Sequence, residues 1–98
     1  MALLQLTVIP LGTGSPGVGD YVADIQKALE KEKARFLLND MGTVIEGDAQ
    51  ELLALVARIY EIPFEHGALR VVTQMVIDDR RDKEIGIGDK IDAVRKRL

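Results

Sequence analysis

Apolar and polar positions along this chain follow two periods, and the places where the period changes mark the elements. Leu3, Gln5, Thr7 and Ile9 alternate with Leu4, Leu6 and Val8, so residues 2–9 predict a strand with apolar side chains on both faces, ended by Pro10. Leu11-Gly12-Thr13-Gly14-Ser15-Pro16-Gly17 is turn chemistry. Val18, Tyr21, Val22, Ile25, Ala28 and Leu29 then fall on one helical stripe, with Ser15 and Pro16 as an N-cap and N1 pair and Glu30-Lys31-Glu32-Lys33 as the solvated end. Residues 35–39 and 43–47 predict two short strands joined by a tight turn at Asp40-Met41-Gly42. Asp48-Ala49-Gln50-Glu51 has the pattern of a capping box for a second helix, with Leu52, Val56, Ile59 and Tyr60 on its apolar face. Pro63 should end or kink that helix, and Gly67 should close the segment. Residues 69–78 alternate as a last strand, and Ile87, Ile91, Val94 and Leu98 predict a final helix starting near Gly88.

The order is β-α-β-β-α-β plus a C-terminal helix. Two right-handed crossovers on one sheet give an α+β fold, a ferredoxin-like βαββαβ sandwich with an additional C-terminal helix. Ninety-eight residues suit a single domain over residues 1–98. Helices on one sheet face leave the other uncovered, and the first strand is apolar there too. Such a face should meet another subunit, so self-association is the expectation from pattern alone.

Composition narrows the classes. There is no cysteine, which excludes disulfides and thiolate metal sites. No apolar run approaches the roughly 20 residues that span a bilayer, and no basic leader follows Met1, so a soluble, cytoplasmic chain without membrane partners is expected. Seven of the thirteen basic side chains follow residue 79, but Asp82, Glu84, Asp89 and Asp92 are interleaved with them and no aromatic accompanies them. Cations in a last helical turn suit the helix dipole, and nucleic acid is not an expected partner.

The chemistry-bearing stretch is Met41-Gly42-Thr43-Val44-Ile45-Glu46-Gly47, which puts a hydroxyl and a carboxylate into a strand. An unpaired buried carboxylate is costly, so Glu46 should reach solvent at the strand end or face a partner. Thr43, Glu46 and Asn39 can form one polar cluster only through a bulge or the turn, because residues three apart in a strand point to opposite faces. The glycine-rich loop can turn the chain or offer backbone N–H groups to an anion, but it has neither the phosphate-binding lysine ending nor dinucleotide spacing. Arg80 and Arg81 form either a solvated cluster or, with that loop, an anion site. His66 has no second His or Cys and makes a poor metal site. Ser15 has no evident base, so neither catalysis nor a cofactor is expected.

Five segments occur in an order that resembles a known family: Val8-Ile9-Pro10-Leu11-Gly12-Thr13, Tyr21-Val22-Ala23, Met41 to Gly47, Ile77-Asp78-Asp79-Arg80-Arg81-Asp82, and Asp89-Lys90-Ile91-Asp92-Ala93-Val94. Together they are similar to the small thiamine-binding proteins, relatives of the hydroxymethylpyrimidine-binding domains. The chain departs from that pattern at Ile85-Gly86-Ile87-Gly88, where the family has a Thr-rich segment. The resemblance implies a ferredoxin-like fold, a homodimer or dimer of dimers formed through the sheets, and non-catalytic binding of thiamine or its pyrimidine part. A site near a subunit interface is expected, bounded by the first loop, with Thr13 and Ser15, and the central hairpin. There Glu46 would balance the thiazolium, Asn39, Thr43 or Gln5 would pair with the aminopyrimidine, and Tyr21 or Phe36 would stack. The alternative is a structural or regulatory oligomer without a small-molecule ligand.

Overall fold

Each predicted period becomes an element in the computed structural model, which is described for residues 1–12 and 19–98. In chain order these are β1 (Ala2–Leu11), α1 (Gly19–Lys31), β2 (Arg35–Asn39), β3 (Gly42–Gly47), α2 (Ala49–Ile59), α3 (Ile62–Glu65), β4 (Arg70–Asp79) and α4 (Asp89–Arg95). The sheet order is β2-β3-β1-β4 and every neighbouring pair is antiparallel, which is the ferredoxin-like arrangement.

Register separates the two sheet faces. Leu4 lies opposite Ile45 and Ile77, and Leu6 opposite Thr43 and Met75. These inner positions of β1 and β3 join Tyr21, Ile25 and Leu29 of α1 and Leu52, Leu55, Val56 and Ile59 of α2 in one core cluster. Each fully buried aliphatic side chain contributes about 1.5–3 kcal/mol relative to exposure. The outer face carries the rows Arg35-Glu46-Leu3-Asp78 and Leu37-Val44-Gln5-Val76, followed by Thr7 opposite Gln74 and Ile9 opposite Val72. Leu37, Val76 and Ile9 are exposed there. No helix of the core cluster covers that face.

Several details depart from the sequence reading. β1 runs through Pro10, because β3 pairs with β1 only as far as Leu6. A residue without an N–H loses no ladder bond on that vacant side. Asp48 occupies the N-cap of α2 without a side-chain hydrogen bond, so the capping box is not formed. Leu55 belongs to the buried face of α2, whereas Tyr60 is 45% exposed and packs its ring 5.8 Å from Phe64. Pro63 starts the short helix α3 rather than only ending α2. Met41 and Met75 are both exposed. α4 buries none of its residues, and Ile91, Val94 and Leu98 all face outward. The proposed N-cap pair Ser15 and Pro16 lies outside the described residues.

Gly42 begins β3 where the strand passes β1 closely. A Cβ there would lie 2.9 Å from both the Leu6 carbonyl oxygen and Thr7 Oγ1. Gly42→Ala should therefore destabilise the fold by about 1–3 kcal/mol. A lower urea midpoint at unchanged m is the expected reading, and an unchanged midpoint would show that the hairpin shifts freely.

Candidate functional site

The mismatch between β1 and β3 creates a cleft. Past Leu6, β1 has β4 on one side and no strand on the other. α1 and the β2–β3 turn close around this unpaired edge and leave a cleft of about 290 Å³. Its floor is Leu6 to Pro10. One wall is Tyr21, Val22, Ile25 and Gln26 of α1, and the other is Leu38 to Thr43 of the hairpin. Ligand pockets run from roughly 300 to 1,000 Å³, so the size suits one small molecule and not a dinucleotide.

Mostly apolar walls carry a few polar groups. Tyr21 is buried, and its hydroxyl donates to the Val8 carbonyl oxygen at 3.1 Å, using an acceptor of the unpaired strand edge. Burial pushes the Tyr21 phenol pKa above its ordinary value, which keeps the ring neutral. Thr43 is 5% exposed and accepts a 3.1 Å hydrogen bond from Gln26 Nε2. Gln26 Oε1 is buried and has no partner among the described residues. Such an orphaned acceptor costs about 1–3 kcal/mol, which makes it a candidate for ligand contact. Asn39 and Asp40 stand at the hairpin end, and Asp40 is the only carboxylate among the described lining residues.

This arrangement brings together Thr43, Asn39 and Tyr21 from the sequence-derived site and separates the others. Thr43 points to the helix-covered face and Glu46 to the open face, three residues along an unbulged β3. The cluster that would join Glu46 to Thr43 and Asn39 therefore does not form. Gln5 shares the open face with Glu46, and Phe36 packs against the core outside the cleft lining. Thr13 and Ser15 lie outside the described residues. Gln26 was missed. Its signal was visible as a polar side chain four residues after Val22 and three before Leu29, inside the apolar stripe of α1.

Glu46 has local partners. Its Oε1 accepts from the Ile87 backbone N–H at 2.8 Å and lies 3.3 Å from Arg35 Nε. A Cβ on Gly86 would come within 2.7 Å of the same oxygen. Ile85 beside it is 5% exposed although it is outside the main core cluster. Residues 80–88 thus form a strap held at the Glu46 end of the open face, and Lys90 adds an ion pair with Asp78. The two arginines read as an anion site are each engaged by a neighbouring carboxylate, Arg80 by Asp82 and Arg81 by Asp79. The Arg80 hydrogen bond holds Asp82 down at about 2. Arg80 also carries its backbone N–H to the Met1 carbonyl at 3.3 Å, which ties the strap to the start of β1. His66 Nε2 lies 2.6 Å from Asp24 Oδ2 and links α3 to α1. No group of three or more metal-ligating side chains occurs among the described residues, and none of their helices is long and apolar enough to cross a membrane.

Comparison with known proteins adds an independent finding. The family described as thiamine-binding protein matches residues 4–95. Protein YqgV of Bacillus subtilis is 45% identical over 102 aligned positions, spanning 100% of this chain and 98% of YqgV. The crystal structure of a hypothetical protein from Methanocaldococcus jannaschii superposes with a TM-score of 0.83 at 33% identity, covering 97% of this chain and 96% of that one. A Thermotoga maritima protein described as a candidate thiamine biosynthesis or salvage protein shares the fold, with a TM-score of 0.79 at 19% identity over 96% of this chain and 98% of that one.

If Glu46 holds the strap, Glu46→Ala should free the Ile87 amide. A hydrogen bond to a charged group is worth about 1.5–3 kcal/mol, so exchange at Ile87 should quicken by roughly ten- to a hundredfold. Hydrogen exchange resolved at single amides checks this. Unchanged protection there would show that the strap is held by other contacts.

Proposed function

The chain belongs to the thiamine-binding protein family, and from that premise we propose that it is a non-catalytic binder of thiamine or a related aminopyrimidine. The ligand lies in the cleft between α1, the end of β1 and the β2–β3 turn. One observation carries this reading: an apolar cleft of single-ligand size gathers a hydroxyl, an amide with an unused acceptor, an aromatic ring and a rim carboxylate. The pyrimidine suits the apolar depth beside Tyr21. The permanently positive thiazolium suits the rim, where Asp40 supplies the opposite charge in place of Glu46. Binding without turnover is supported by the partner of the Thr43 hydroxyl, a glutamine amide, which does not take up a proton at neutral pH.

Self-association is part of the proposal. Val76 on the open face is 67% exposed, and Leu37 in the same row is 46% exposed. Large apolar side chains this exposed in the middle of a sheet face suit a partner surface better than solvent. The same face favours the second reading, an oligomer with no small-molecule ligand. A homodimer or dimer of dimers joined through this face fits either reading.

Calorimetric titration with thiamine separates them. The wild-type protein should bind, Val22→Phe should block the cleft and lower affinity at least about tenfold, and Glu46→Gln should leave affinity within about twofold. Loss of binding in Glu46→Gln with retention in Val22→Phe would move the site to the open face. No heat at millimolar thiamine would favour the ligand-free oligomer.

Val76→Glu places a charge in the middle of the open face. Sedimentation should show the wild type as a dimer or tetramer and Val76→Glu as a folded monomer. A monomeric wild type would remove self-association from the proposal.

A further inference from the structure

We propose that the backbone N–H of Val8 is a ligand anchor, a fixed donor on the cleft floor that takes a lone-pair acceptor of a flat ring. This rests on the cleft reading above and adds a contact that no side chain supplies.

An antiparallel ladder alternates. Both polar groups of one residue point to the same side of the strand, and those of the next residue point to the other. A Cβ on Gly42 would lie 2.9 Å from the Leu6 carbonyl oxygen, so the even-numbered residues of β1 face β3. The Val8 carbonyl agrees, because it accepts from the Tyr21 hydroxyl at 3.1 Å in the cleft. Val8 lies opposite Thr73 of β4 and so forms a non-hydrogen-bonded pair there. β3 stops pairing at Leu6, which leaves the Val8 N–H directed into the cleft without a strand partner. The Met41 carbonyl, the acceptor that a longer β3 would place there, takes the Thr7 hydroxyl at 3.2 Å instead. No other backbone acceptor for this N–H occurs among the described residues.

Pro10 is the next residue on that edge, and proline carries no N–H. The chain thus removes the unpaired donor at one position and keeps it at the other. Among the described floor residues, Leu6 to Pro10, Val8 alone has a backbone donor open to the cleft. Its surroundings are apolar, with Tyr21, Val22 and Ile25 on the facing wall and the Val8 side chain packed against the core. A donor left unpaired in such a place is costly, and a ligand acceptor would satisfy it. Unlike a side-chain amide, a backbone N–H can neither turn over nor exchange donor for acceptor. A ring nitrogen and a carbonyl oxygen suit it equally, whereas a C–H edge leaves it unpaired. The anchor therefore fixes how deep a ring sits beside Tyr21 and which edge leads, whether the ring is an amino or an oxo form.

Hydrogen exchange at single amides tests this on the unaltered protein. Without ligand, the Val8 amide should exchange at least about tenfold faster than those of Leu6 and Ile9, which the ladders hold. Saturating thiamine should slow the Val8 amide at least about fivefold more than it slows Ile9. Calorimetry on two variants gives a second reading. Val8→Pro deletes the N–H and keeps the carbonyl for Tyr21, and Val8→Ala trims the side chain and keeps the N–H. Val8→Pro should bind thiamine at least about fivefold more weakly than Val8→Ala. Thermal melts report the fold of both, and where Val8→Pro does not fold the exchange measurement decides alone. A Val8 amide already protected in the free protein, or thiamine binding that leaves its exchange unchanged, overturns the anchor and leaves the cleft as a thiamine site. Equal affinities in the two folded variants do the same. No binding of thiamine by the wild type overturns the cleft reading and this proposal together.

Discussion

The central strand is longer than one of its neighbours, and most of what this protein can do follows from that mismatch. β1 runs ten residues and pairs with β4 along its whole length, but with β3 only from Ala2 to Leu6. The remaining residues have an open backbone edge that must be satisfied by something other than a strand. Tyr21 takes the Val8 carbonyl, and Thr7 donates its hydroxyl to the Met41 carbonyl at 3.2 Å across the hairpin end. These side-chain bonds span a wider gap than a strand ladder does. The residual space is the cleft. Extending β3 by two or three paired residues would satisfy the same edge and close it.

The period of two then divides the polar groups of β3 between unrelated tasks. Thr43 and Ile45 point toward the helices, and Val44 and Glu46 point away. A motif that reads as one constellation in sequence thus becomes two sites on opposite sides of a sheet. Thr43 sits in the cleft with Gln26, while Glu46 takes the Ile87 amide and Arg35. Proximity along a strand is a poor guide to proximity in a site, whereas the odd or even separation is a good one.

Much of this was legible from residues alone. The stripes of α1 and α2, the tight turn at Asp40-Met41-Gly42, and the alternation of β1 identify the elements, and their order with crossover handedness identifies the sheet. Apolar residues on both faces of β1 also announced the open face. Gln26 was less legible because a polar residue within an apolar stripe usually reads as noise; its meaning depends on which strand end lies beneath it. The contribution of α4 was overread. Its stripe of Ile91 and Val94 obeys helical spacing, but α1 and α2 already fill the inner face, and nothing within one copy of the chain buries it.

The strap gives a physical account of the segment Ile85-Gly86-Ile87-Gly88. For the Ile87 N–H to reach Glu46, the preceding residue must bring its backbone against the carboxylate, and a side chain at Gly86 would push Oε1 out of its present place. Glycine at 86 and a carboxylate at 46 are therefore one device, and Asp89 completes it by accepting from the Gly86 N–H at 2.9 Å. Gly88 adds the positive φ of 97° from which α4 starts, a conformation that glycine adopts without strain. This arrangement engages the most conspicuous carboxylate of the sequence in folding and keeps it away from the cleft. Asp40 alone then brings an acidic side chain to the described lining. Walls of carbon with one amide and one hydroxyl in the depth, and charge confined to the rim, admit a flat neutral ring whose edge is polar and whose substituent is cationic.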